Sequence, residues 1–116
     1  MRYLLLMYVD RGLAPPADAV ARYAALREAM TAAGVYVTSG QLEADDDSAV
    51  VRIDGDTMIV TDGGLATKGT APGAFYVIEC ETREQAIDWA ACIPAATYGS
   101  IEVRPLRPMP APVVRS

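Results

Sequence analysis

Tyr3-Leu4-Leu5-Leu6-Met7-Tyr8-Val9, close to the start of the chain, is apolar at odd and even positions alike. A strand sends alternate side chains to opposite faces, so a run with no polar alternate belongs in a sheet that is covered on both sides. The run is predicted to be a central strand. Ala74-Phe75-Tyr76-Val77-Ile78-Glu79-Cys80 has the same character and is predicted to be the second one.

The intervening chain supplies the partners of these strands. Pro15-Pro16 opens a helical pattern in which Val20, Tyr23, Ala24, Met30 and Ala33 recur at three- and four-residue spacing, and Gly34 supplies a left-handed stop. Val35-Tyr36-Val37-Thr38 is β-branched and aromatic, hence a strand, and Glu43 to Ser48 is a polar surface turn. Val50-Val51-Arg52-Ile53 and Thr57-Met58-Ile59-Val60 flank Asp54-Gly55, a pair suited to a tight turn, so residues 49–61 read as a β-hairpin. Asp62 to Gly73 holds four glycines and one proline in twelve positions and reads as a loop. Thr82 with Gln85 three residues later matches a capping box, and Ala86, Trp89, Ala90 and Ile93 form the buried stripe of the helix it opens. Ser100 to Leu106 alternates Ile101 and Val103 with Glu102 and Arg104, and its prolines suit a sheet edge.

The order strand, helix, strand, hairpin, strand, helix, strand contains the split βαββαβ unit of α+β, ferredoxin-like domains, with a hairpin inserted in the middle. That topology places the first and third main strands centrally, where the two apolar runs are. Both helices lie on one face of such a sheet, and the other face needs a cover. A second copy packed sheet against sheet supplies it through a two-fold contact, so a homodimer is expected. Residues 1–106 form the expected single domain, and the Pro-rich stretch 107–116 is a tail without core pattern.

Composition narrows the function. The chain has 116 residues, too few for two ordinary domains, and a net charge of −5 with scattered Lys and Arg, which gives nucleic acid and anionic membrane no footprint. No apolar stretch approaches the roughly 20 residues of a membrane helix, and the first apolar run lacks a cleavage pattern, so a cytoplasmic protein is expected. With no His, and with Cys80 and Cys92 as the only cysteines, the usual zinc constellations cannot be assembled in one chain. Two reduced, buried thiols and no metal or cofactor are expected.

Several segments together carry a likeness to a known family. They are Met1-Arg2-Tyr3-Leu4-Leu5-Leu6-Met7-Tyr8, then Val60-Thr61-Asp62-Gly63 leading through Thr67-Lys68 to Gly73-Ala74-Phe75-Tyr76-Val77-Ile78-Glu79, then Ala86-Ile87-Asp88-Trp89-Ala90, Cys92-Ile93-Pro94-Ala95-Ala96 and Gly99-Ser100-Ile101-Glu102-Val103-Arg104-Pro105. In order and spacing the chain resembles the YCII-related, DGPF-type proteins over nearly its whole length. The resemblance implies a dimeric α+β barrel, and it implies a fold and a dimer more firmly than an activity. Gly64 and Leu65 stand where the family's naming loop has Pro-Phe. Some branches of the wider group resemble enzymes with a His-Asp pair, for which this chain has no His. DGPF-type domains also look like companions of extracytoplasmic-function sigma factors.

The residues suggest several chemistries. In the loop, glycines let backbone N–H groups approach a ligand, with Asp62 as acceptor, Lys68 as charge, and Gly63 and Thr67 beside them; the alternative is a connector with a solvated lysine. Tyr3, Tyr8, Tyr36 and Tyr76 lie on predicted strands, where a phenol either orients a ligand or packs in the core with its hydroxyl satisfied. Glu79 is either a desolvated base or a solvated strand end. Arg52, Arg104 and Arg107 read as edge guards, and Asp45-Asp46-Asp47 lacks the spacing of a calcium loop. The leading expectation is a homodimer binding a small organic ligand with this loop at the rim of its site, through Asp62, Gly63, Thr67, Lys68 and Tyr3. One alternative is a cofactor-independent isomerase, lyase or cyclase with Glu79 or Asp62 as base and Tyr8 or Tyr76 as donor. The other is a sigma-factor accessory protein.

Overall fold

The computed structural model describes residues 1–10, 14–43, 47–65 and 70–109. Its elements run β1 (Arg2–Asp10), α1 (Ala19–Ala32), β2 (Tyr36–Gln41), β3 (Ala49–Asp54), β4 (Thr57–Asp62), β5 (Thr70–Glu79), α2 (Arg83–Ala91), a short 3₁₀ helix (Pro94–Thr97) and β6 (Gly99–Pro105). Four strands form an antiparallel sheet in the order β2-β5-β1-β6, while β3 and β4 pair only with each other. This is the α+β, ferredoxin-like arrangement, with the two apolar runs at its centre.

Register decides what each residue of β1 faces. Tyr3, Leu5 and Met7 stand opposite Ile78, Tyr76 and Ala74 on one side and Pro105, Val103 and Ile101 on the other, so all share a face. That face carries the core: Leu5, Ile78, Met30 of α1 and Ile93 are wholly buried, with Ala86 and Ala90 of α2 packed into them. Each such large side chain contributes roughly 1.5–3 kcal/mol by leaving water. Leu4, Leu6, Phe75 and Val77 point the other way, and they belong neither to this core nor to the apolar shell around it.

The hairpin turns at Gly55 with φ +62° between Asp54 and Thr57, which are paired. A glycine at the first central position with positive φ is the turn whose twist suits a two-residue hairpin. Thr82 caps α2 as expected, its Oγ1 accepting from the Gln85 N–H at 3.1 Å, while Gln85 Oε1 reaches one residue past the N-cap and accepts from the Glu81 N–H at 2.8 Å. Trp89 is half-buried beside Ala86, Ala90 and Ile93, as the stripe requires.

Three details differ from the sequence expectation. The buried line of α1 is Ala19, Leu26 and Met30 with Tyr23 half-buried, and Val20 is 84% exposed. An alanine-rich helix offers apolar positions all round, and the bulkier Leu26 and Met30 choose the face. β5 begins at Thr70, so the second part of the expected loop is strand, bent by a register shift opposite Met7 and Tyr8 that skips Gly73. Cys92 is exposed, whereas Cys80 is buried. Among the described residues no helix is long and apolar enough to cross a membrane.

Gly99 starts β6 where two backbones nearly touch. A Cβ there would fall on the Tyr8 carbonyl oxygen and lie 3.3 Å from that of Ala95. Neither backbone group can rotate away as a side chain can, so Gly99→Ala is expected to cost about 1–3 kcal/mol, the usual scale for overpacking. Urea denaturation checks this, and an unchanged midpoint would contradict the close approach.

Candidate functional site

β2 and β5 end and begin at the same edge of the sheet, and the hairpin springs from there. The Leu42 N–H donates to the Gly73 carbonyl at 2.9 Å, extending the pairing of β2 with β5. The Gly63 N–H donates to the Ser48 carbonyl at 2.6 Å, tying the two ends of the hairpin together. Gly63 holds φ +96°, a conformation that glycine alone adopts without strain. Between hairpin and sheet these turns leave a cleft of about 350 Å³, within the usual range for a small-molecule site. Leu42, Val50, Leu65 and Pro72 form apolar walls, with Ser48 and the carboxylates Glu43 and Asp47 also lining it.

The residues singled out in the sequence do not converge on one point. Asp62 and Gly63 sit at the hairpin root, the former exposed and paired through its backbone with Ala49. Thr67 and Lys68 lie outside the described residues, as do Asp45, Asp46 and residues 110–116 of the tail. Tyr8 stands opposite Pro72 on the face of the sheet turned away from the helix-side core, and its hydroxyl donates to Glu102 Oε1 at 3.5 Å. Arg104 is 3.7 Å from the same oxygen, so Tyr8, Glu102 and Arg104 form a polar strip along the β6 edge.

Tyr3 and Tyr76 point the other way into the helix-side core and are 5% and 7% exposed. Burial pushes the Tyr76 phenol up, a nearby Tyr36 adds to this, and Arg27 partly offsets it. Tyr36 itself shares a 2.7 Å hydrogen bond with Ser39 and lies 5.0 Å beneath the Arg27 guanidinium. Glu79 is exposed in an ion pair with Arg2, 3.5 Å away, at the far end of β5. Since Pro72 and Glu79 are separated by seven strand residues, Glu79 is roughly 20 Å from the cleft and shares no site with it.

A tyrosine pair not read as a site in the sequence bridges α1 and the residue after the 3₁₀ helix. Tyr23 and Tyr98 share a hydroxyl hydrogen bond of 2.9 Å. Burial first, and then that bond, push the Tyr23 phenol far above its ordinary range, although the Ala95 backbone offsets part of the rise. In the unfolded chain this phenol ionises near pH ~10, while the folded chain still holds the proton there. Its stabilising contribution is therefore complete below that pH and lost as pH rises toward the folded value. Tyr76 acts in the same sense, so Tyr23→Phe is expected to reduce but not abolish the alkaline loss of stability. Denaturation midpoints followed from neutral to strongly alkaline pH test this, and identical slopes in both proteins would contradict it.

Cys80 donates from Sγ to the Thr82 carbonyl at 3.4 Å, and burial raises its thiol, so it is chemically quiet. A larger hollow of about 430 Å³ lies between α2 and β6. Among the described residues Arg83 is its only charged lining residue, and Ile87, Ile101 and Val103 supply much of the rest. Among the described residues, none of the candidate site residues Tyr3, Tyr8, Asp62, Gly63, Tyr76 and Glu79 lines it.

Residues 1–110 match the family model described as the YCII-related domain. A search of curated proteins finds no match.

Proposed function

The chain belongs to the YCII-related family, and from that premise we propose that it works as a homodimer, with sheets stacked face to face, that binds a small organic molecule in the cleft at the hairpin root. The observation that carries the reading is the second face of the four-stranded sheet. Leu4, Leu6, Phe75 and Val77 occupy its middle, while Ser100, Glu102 and Arg104 line its β6 edge. An apolar centre with a polar rim is the anatomy of a protein interface. The Phe75 ring lies flat toward β2, over a position where only glycine leaves room: a Cβ on Gly40 would come 2.6 Å from Phe75 Cε1. That keeps the face level enough for another sheet to approach at the usual ~10 Å.

The cleft opens at the Tyr8 end of this face, where Pro72 belongs to both. Its apolar walls suit the body of a small molecule, and Glu43, Asp47 and Ser48 suit a head group rich in hydrogen-bond donors. Leu65 is 84% exposed, so replacing it costs folding little. A thermal-shift screen of small amines and polar aromatic compounds on wild type and Leu65→Asp tests the reading. Compounds that stabilise wild type are expected to lose most of their effect on the variant. Hits that raise both melting temperatures equally would place binding elsewhere.

A further inference from the structure

The β3–β4 hairpin is a two-stranded sheet of its own, and among the described residues no helix and no strand of the larger sheet packs extensively on it. Its register sets Val51 opposite Val60 and Ile53 opposite Met58, so these four share one face. They are 60%, 53%, 69% and 66% exposed, in the order named. Asp62, opposite Ala49, closes the face at its root, and beyond it the face carries no charge. An isolated two-stranded hairpin is marginal in water, and an unbroken apolar face of this kind marks a contact surface.

We infer that this face packs on the second copy of the chain, which makes the hairpin an intersubunit arm. The inference rests on the homodimer reading above and adds a second contact to it, separate from the sheet stacking. Reach supports the choice of occupant. Six-residue strands span about 20 Å, twice the ~10 Å separation of stacked sheets, so a copy seated on the open face lies within range of the arm. Each chain carries both unmatched surfaces, and a two-fold pair closes them without a third component. With its only charge at the root, the face offers nothing to recognise a charged partner.

Sedimentation and amide hydrogen exchange on wild type, Leu6→Asp, and the double variant Ile53→Asp with Met58→Asp test the arm. The double variant is expected to weaken self-association about a thousandfold, because the two-fold axis doubles both substitutions and four apolar side chains, each already about a third buried, lose their burial. Amides of β3 and β4 should exchange slowly in the wild-type dimer and quickly in dissociated Leu6→Asp, with β1 and β5 protected in both. Equal protection of the hairpin in dimer and monomer, or undiminished association of the double variant, would overturn the arm and leave the stacked sheets standing. Dissociation of the double variant while Leu6→Asp stays dimeric would support the arm and remove the stacking. A wild type that sediments as a single chain would remove both.

Discussion

Leu6→Asp is expected to leave a folded single chain. Leu6 stands between Phe75 and Glu102 on the open face, apart from the core on the helix side. In the proposed dimer the two-fold axis doubles every substitution, so each interface gains two buried carboxylates facing Leu4, Phe75 and Val77 of the opposite sheet. A central apolar anchor is worth about 2 kcal/mol or more on each side, and the pair of losses corresponds to roughly a thousandfold weaker association. Sedimentation velocity across a dilution series reads this directly. A variant that associates as tightly as wild type would show that the open face is not the contact.

One residue earlier the expected effect changes kind. Leu5 is 0% exposed, facing Tyr76 and Val103 on the helix side. Leu5→Ala removes most of a side chain from a wholly buried place and leaves a cavity, at a cost of about 2–5 kcal/mol. Chemical denaturation at matched protein concentration measures it, since dimer stability also depends on concentration. A loss under about 1 kcal/mol would mean that the core relaxes far more than its packing suggests. The two adjacent leucines thus separate folding from association: Leu5 is expected to govern the first and Leu6 the second.

Much of the fold could be read from the chain, because strand periodicity survives without tertiary context. The runs at Tyr3–Val9 and Ala74–Cys80 are apolar on both faces, and β1 and β5 are the central strands. Thr82 and Gln85 announced the start of α2, and Asp54-Gly55 announced the hairpin turn. The face of α1 was harder to read, since alanines surround the helix and only Leu26 and Met30 carry enough bulk to define a buried side. Cys92 follows the last helical residue and is exposed, while the adjacent Ile93 is buried, a difference set by local geometry and not by residue type.

The candidate site was less legible. Alternation shows that Tyr3 and Tyr8 lie on opposite faces, but only the placement of the helices shows that Tyr3 is in the core and Tyr8 is not. Asp62 and Glu79 read as alternative bases in the sequence, yet β5 carries the chain from one end of the sheet to the other between them. The cleft's apolar walls come from Leu42, Val50, Leu65 and Pro72, single residues in four separate segments. No local pattern joins them before the hairpin folds back onto its root.

In the proposed dimer the open face of the sheet is covered by a second copy of the same chain. Multi-angle light scattering of the wild-type protein, eluted at successively lower micromolar concentrations, tests it most directly. A mass twice the 12.3 kDa of the chain is expected. A mass of one chain at every concentration, in a protein that stays folded and soluble, would contradict it.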